Sequence, residues 1–168
     1  MKKVLLVVLI LLFGAAGYSY YKNFVKPKVV HFHAGFKVYV DGKLQDFSDL
    51  KYMHVEPCTT KNAHIDVDEQ EMKAHLHDFV GDVAHVHRSN AVWGDLFQNI
   101  KFAIDHSKPV LAYINGGKVD DVLHHPIRPY DSLVLIIGKH RDIGSYLKNA
   151  VKKDHIVLVE KKSETCGS

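Results

Sequence analysis

Apolar and polar residues alternate along several stretches of the chain, which is the pattern of a half-buried β-strand. In residues 29–40 the apolar side chains from Phe32 to Val40 fall on one face, whereas His31 and His33 fall on the other. This stretch predicts a strand whose apolar face packs against a core and whose histidine face is left outside it.

Turn residues divide the rest of the chain into further strands. Asp41-Gly42 predicts a tight hairpin that returns through a short strand near Leu44, and Asn115-Gly116-Gly117 predicts a second hairpin starting at Val110. Residues 133–137 are an apolar run of strand length and predict the central strand.

Helices are predicted at two places. Ser89-Asn90 precede an apolar stripe over residues 91–100, and Asp142 precedes a helix that extends to about Val151. Residues 46–72 give no clear pattern. The order of elements predicts an α+β fold, a β-grasp-like mixed sheet with one helix packed on it. The His-rich domain spans 29–138, followed by a C-terminal helix and tail at 139–168.

The N-terminus predicts export from the cytoplasm. Lys2 and Lys3 precede 18 uncharged residues, 4–21, which end in tyrosines. We interpret residues 1–22 as a signal anchor and transmembrane helix, with residues 23–28 as a linker. The chain would then be a single-pass protein of the cell membrane whose C-terminal domain is extracytoplasmic. A cleaved signal peptide, cut after small residues such as Gly14 and Ala16, is the alternative.

The high histidine content is the feature of the composition that bears most on function. The chain has 168 residues, 13 histidines and a net charge of +3, which is too small to indicate a nucleic-acid partner. Cys58 and Cys166 are too far apart in sequence for a metal knuckle or a CxxC redox pair. In an oxidising compartment they would be able to form a disulfide, and the sequence leaves that open.

Three His-x-His pairs carry the candidate chemistry. Two of them flank a predicted turn at residues 80–82, which contains Gly81. In the favoured hairpin register His77 lies opposite His85, so that four imidazoles share one face. The first strand adds its own pair, and we therefore predict one site shared between strands. The predicted metal ligands are His31, His33, His75, His77, His85 and His87.

Imidazole nitrogens are suitable ligands for Zn²⁺ and Cu²⁺, so this pattern predicts a transition-metal site. Asp78 and Asp82 would add an oxygen ligand or orient an imidazole through a hydrogen bond. The alternative is a solvated polar sheet face, on which alternating histidines have no ligand. Three pairs at strand spacing favour the metal.

Several segments of residues 29–138 resemble a family of uncharacterised, membrane-anchored prokaryotic proteins. The resemblance implies the same layout and a metal site, but no reaction. This chain departs from the pattern at Gly35, where relatives often have histidine, and at His87, where they often have glutamate. The matching segments are 31–33, 40–43, 75–78 with Gly81 and His85, 94–97, 113–116 and 127–131.

The leading functional prediction is a membrane-anchored protein that captures or delivers copper or zinc. A zinc-dependent hydrolase or lyase with histidine ligands is the second hypothesis, since a three-histidine zinc site can activate water. However, the sequence has no GxSxG element, phosphate loop or HExxH helix. The third hypothesis is an envelope interaction module that binds no metal.

Overall fold

The computed structural model describes residues 2–22, 26–54 and 68–161, with the backbone alone for residues 2–9. Cys58 and Cys166 lie outside the described residues, so their pairing stays a prediction. Helix α1 spans Lys2–Tyr20. Within the described part of the chain, no helix is long and apolar enough to cross a membrane. The structure therefore lends no support to the transmembrane helix predicted within residues 1–22.

A seven-stranded mixed sheet forms the centre of the domain, in the order β3-β4-β1-β7-β5-β6, with β2 paired to β1. The pairing of β1 with β7 is parallel, and the other pairings are antiparallel. The strands are β1 Val29–Val40, β2 Lys43–Leu44, β3 Ala74–His75, β4 Val83–Arg88, β5 Val110–Ile114, β6 Gly117–Val119 and β7 Ser132–Ile137.

Both predicted tight hairpins are confirmed. Asp41 and Gly42 have φ angles of 50° and 81°, and Asn115 and Gly116 have φ angles of 52° and 83°. Two successive residues of positive φ match the twist of the flanking strands, which is why Asp-Gly and Asn-Gly are preferred at these positions. The apolar run predicted as a central strand is β7, which lies between β1 and β5.

Three short helices follow the histidine-bearing strands: α2 Trp93–Asn99, α3 Ile143–Lys148 and α4 Lys153–Glu160. The Asp142 cap is confirmed, since its side chain accepts a hydrogen bond from the Gly144 N–H. The cap predicted at Ser89-Asn90 is wrong, because α2 begins later. The Asp95 carboxylate instead accepts the Val92 N–H at 2.9 Å.

One face of the sheet packs on α2 and forms the main core. Phe36 and Val38 of β1 lie there with Trp93 and Leu96 of α2, all at most 1% exposed. This is the apolar face that the alternation in residues 29–40 predicts. The mixed α+β class with a helix on the sheet is therefore confirmed.

The other face of the sheet is also covered, which the sequence did not predict. Tyr39 packs with residues of α3, and Val83 of β4 packs with Ile156 and Val159 of α4. Since β1 places its odd-numbered side chains on this face, the histidine face of the strand lies partly beneath helices. The prediction that this face stays outside any core is wrong.

Helix α2 also fixes the short edge strand β3. The Asp95 carboxylate lies 2.8 Å from Lys73 Nζ, and the Asn99 amide donates to the Ala74 carbonyl oxygen at 2.7 Å. Asp95 is 8% exposed. A two-residue strand has little pairing of its own, so these bonds position His75, which follows Ala74.

Gly35 allows the segment before α4 to approach the histidine face of β1. A Cβ built on Gly35 would lie 2.5 Å from two Val151 side-chain carbons. We expect Gly35→Ala to lower the free energy of unfolding by about 1–3 kcal/mol, the usual cost of overpacking. Urea titration followed by circular dichroism measures it.

The matched control is Gly117→Ala, whose added Cβ would meet only the Ile114 carbonyl oxygen, at 3.4 Å. Equal stability of the two variants would contradict the close packing of Val151 on β1.

Candidate metal centre

Among the described residues, seven histidines lie side by side on one face of the sheet, at the end formed by β1, β3 and β4. Each ring centroid lies within 5.1 Å of the centroid of another histidine in the group. We refer to these residues as the histidine cluster: His31, His33, His54, His75, His77, His85 and His87.

Strand register produces the centre of the cluster. His33 of β1 pairs with His85 of β4, and His85 in turn pairs with His75 of β3. Residues paired across neighbouring strands point to the same side of a sheet. The shared placement predicted for the histidines of the first strand and of the hairpin is therefore confirmed.

The predicted register of the histidine hairpin is wrong by two residues. His75, and not His77, lies opposite His85. Strand β3 ends at His75, and in the connection that follows Asp78 and Phe79 have φ angles of 55° and 57°, which an extended strand does not adopt. A shift of two residues preserves the face, and for this reason the histidines still converge.

His77 reaches the cluster from the connection and not from a strand. Its ring centroid lies 3.5 Å from that of His85. Gly81, in the same connection, lies so close to residues 47 and 48 that an added Cβ would be 2.4 Å from the Ser48 nitrogen. This close approach fixes the path of the connection that carries His77.

In the part of the chain that the structure describes, two groups of three histidines have a geometry that could hold a metal ion. His31, His33 and His85 form the first triad, and His75, His85 and His87 form the second. In each, one ligand nitrogen per residue lies within 4.8 Å of the other two. His33 Nε2 and His85 Nε2 are in direct contact. Both triads include His85.

The outer ring nitrogens of three cluster members face oxygen atoms. His75 Nδ1 lies 3.0 Å from the Glu71 carbonyl oxygen. His77 Nδ1 lies 2.9 Å from an Asp78 carboxylate oxygen, and His54 Nδ1 lies 3.0 Å from a Glu71 carboxylate oxygen. A carbonyl oxygen only accepts, so His75 Nδ1 is the donor and its Nε2 carries the lone pair.

This arrangement is the one that metal-binding histidines use in proteins, where an oxygen acceptor fixes the tautomer and turns the other nitrogen toward the metal. His77 and His54, each beside a carboxylate, are held in the same way. The donor set of the two triads, imidazole nitrogen only, fits Zn²⁺ or copper and not Mg²⁺ or Ca²⁺, which require oxygen.

Burial favours the neutral form of His75 and His85. His33, His85 and His75 are 1%, 2% and 6% exposed. Burial lowers the pKa of His75 to about 3, and it lowers the pKa of His85 below its usual range, with the neighbouring histidines adding to both effects. A neutral imidazole has a free lone pair at physiological pH, which a metal requires.

Helix α4 covers the cluster beside His33. The Glu160 carboxylate accepts the Tyr130 hydroxyl at 2.9 Å and lies 4.0 Å from His33 Nδ1. His155, also in α4, contacts Asp82 at 3.0 Å. Of the two aspartates predicted to support the site, Asp78 therefore contacts a cluster histidine, whereas Asp82 contacts His155.

Sequence reasoning missed three members of the site. His54 and Glu71 lie in residues 46–72, where no periodicity gave them a position. Glu160 lies in α4, within a segment interpreted as a tail. One signal was present for α4, since Ile156 and Val159 have the i, i+3 spacing of a buried helix face.

A large cavity of about 960 Å³ lies at the other end of β1. Among the described residues that line it are Asp41, Lys108, Lys139 and Arg141, and none is a member of the histidine cluster. The cavity and the cluster are thus separate features.

No family model matches the chain, and no curated protein or solved structure is significantly similar to it. The resemblance inferred from the motifs consequently stays a prediction. Any functional proposal has to be based on the geometry of the histidine cluster.

The depressed pKa values predict how stability depends on pH in the metal-free protein. Unfolded His75 has an ordinary pKa near 6.5, against about 3 when folded. The unfolded chain therefore binds more protons between these values, so the free energy of unfolding should fall as the pH drops from 6.5 toward 3. Each pKa unit of depression corresponds to about 1.4 kcal/mol.

Urea titrations at pH 7, 5.5 and 4 measure this loss. His75→Gln should lose less stability over that range than the wild type. The matched control His106→Ala changes an exposed histidine outside the cluster and should follow the wild type. Equal slopes for His75→Gln and the wild type would contradict the assignment.

Proposed function

We propose that the protein binds a transition-metal ion, zinc or copper, through the histidine cluster, and that its role is capture or delivery of that ion. The observation that supports this most strongly is the in-register row of His33, His85 and His75 across three strands. Imidazole side chains buried close together on adjacent strands supply the donors for such an ion.

The surroundings of the cluster support a metal over a solvated histidine face. An ordinary polar face would leave its side chains in water, yet three of these imidazoles are at most 6% exposed. Burying imidazole is costly unless its nitrogens are used. Oxygen acceptors bound to the Nδ1 atoms of His75 and His77 fix the orientation of these rings. A solvated surface histidine does not need such fixed orientation.

The exposed edge of the cluster supports capture or delivery of an ion. His31 is exposed at the margin of the first triad, where an ion would enter or leave. A zinc hydrolase or lyase, the second hypothesis for the same site, would in addition need a cleft in which the substrate reaches the metal and its water.

Export of the domain is part of the proposal and is supported by sequence alone. The uncharged run of residues 4–21 after Lys2 and Lys3 is the feature that supports it. Extracytoplasmic capture or delivery would agree with a site that has an exposed histidine at its edge.

Metal affinity tests the proposal directly. The purified full-length protein, freed of metal by chelator and dialysed, should bind Zn²⁺ or Cu²⁺ in isothermal titration calorimetry. Replacement of the shared ligand in His85→Ala should weaken binding at least about 100-fold, since loss of a direct ligand exceeds the 10–100-fold cost of losing a supporting group.

His106→Ala serves as the control here also and should bind like the wild type. If the wild-type protein binds neither ion more tightly than His85→Ala does, the metal proposal fails, and an interaction module without a metal becomes the better hypothesis.

Cell fractionation tests the location. The full-length chain should remain in the membrane fraction after high-salt washing, and its C-terminal domain should be open to protease added outside the cytoplasmic membrane. Recovery of a soluble form whose N-terminus lies near Gly17 would instead show a cleaved signal peptide.

A further inference from the structure

The two triads of the histidine cluster have a single residue in common. His31 and His33 of β1 complete the first triad with His85, and His75 and His87 complete the second triad with the same His85. Strand order explains this sharing: β4 lies between β1 and β3, so His85 has histidines on both sides.

Neither triad has a clear advantage in burial. Each consists of two buried histidines and one more accessible member, His31 in the first and His87 in the second. The rings of these two accessible members are stacked, with centroids 5.0 Å apart. The two candidate positions are therefore adjacent, similar in donors and open at the same margin.

Charge disfavours filling both positions at once. The two triads comprise five histidines, since His85 belongs to both, and no carboxylate is among them. Two divalent ions side by side would repel about four times as strongly as two unit charges at that distance, within a poorly screened site. Glu160, whose carboxylate lies 4.0 Å from His33 Nδ1, is already hydrogen-bonded to Tyr130.

We propose that the histidine cluster is a pair of overlapping three-histidine sites that one ion occupies alternately. The ion remains bound to His85 and exchanges the two β1 ligands for His75 and His87. Each bond to the protein that breaks is replaced by a new one. This inference rests on the proposed metal-binding function and describes how a captured ion moves between two coordination positions.

Alternate occupancy makes a quantitative prediction for Cu²⁺. When two sites exclude one another, the association constant of the wild type equals the sum of the constants of the separate sites. His31→Gln/His33→Gln leaves only the second triad, and His75→Gln/His87→Gln leaves only the first. Each variant should bind one Cu²⁺ within about 10-fold of the wild-type affinity, whereas His85→Gln should bind at least about 100-fold more weakly.

Electron paramagnetic resonance of the copper-loaded, full-length wild type gives a second test that needs no variant. One Cu²⁺ per chain should give two overlapping nitrogen-coordinated spectra, and those spectra should match the ones from the two double variants. Circular dichroism checks that each variant is folded; if one is not, the wild-type stoichiometry and spectrum decide alone.

The possible outcomes distinguish failure of alternate occupancy from failure of the proposed metal-binding function. Two ions per wild-type chain would overturn alternate occupancy. A single spectrum in the wild type, or full affinity in one double variant and a 100-fold loss in the other, would show one fixed triad. Both results leave the metal-binding function intact. A wild type that binds no Cu²⁺ and no Zn²⁺ would end both proposals.

Discussion

Burial of imidazole rings in register across three strands is the constraint on which the structure of this region depends. His33, His85 and His75 lie in one row and are nearly inaccessible to solvent. Burial disfavours the charged form of an imidazole and requires that its nitrogens have partners. The acceptors on the outer nitrogens meet part of this requirement, and the proposed ion would meet the rest.

The scaffold meets that constraint by covering both faces of one sheet. Helix α2 packs on the apolar face, and its Asp95 and Asn99 hold the short strand β3 in place. Helix α4 packs on the opposite face, where Gly35 allows Val151 close to β1. The row of histidines is thereby buried at its centre, while His31 remains exposed at its edge.

Local sequence patterns were sufficient where they depend on a few neighbouring residues. Asp41-Gly42 and Asn115-Gly116 require positive φ, and Asp142 caps the helix that follows it. The register of the histidine hairpin could not be obtained in this way. It depends on how the connection after β3 turns, and the positive φ angles of Asp78 and Phe79 in that connection follow from no local pattern of apolar and polar residues.

The sequence by itself determined the alternation that puts His31, His33, His85 and His87 on one kind of face, because side-chain direction has a period of two in a strand. Only the tertiary structure decided which strands became neighbours, and hence that His85 is shared by both triads. It also decided that α4 covers this face and that His54 joins the cluster. Such contacts link residues far apart in the chain, and no local pattern encodes them.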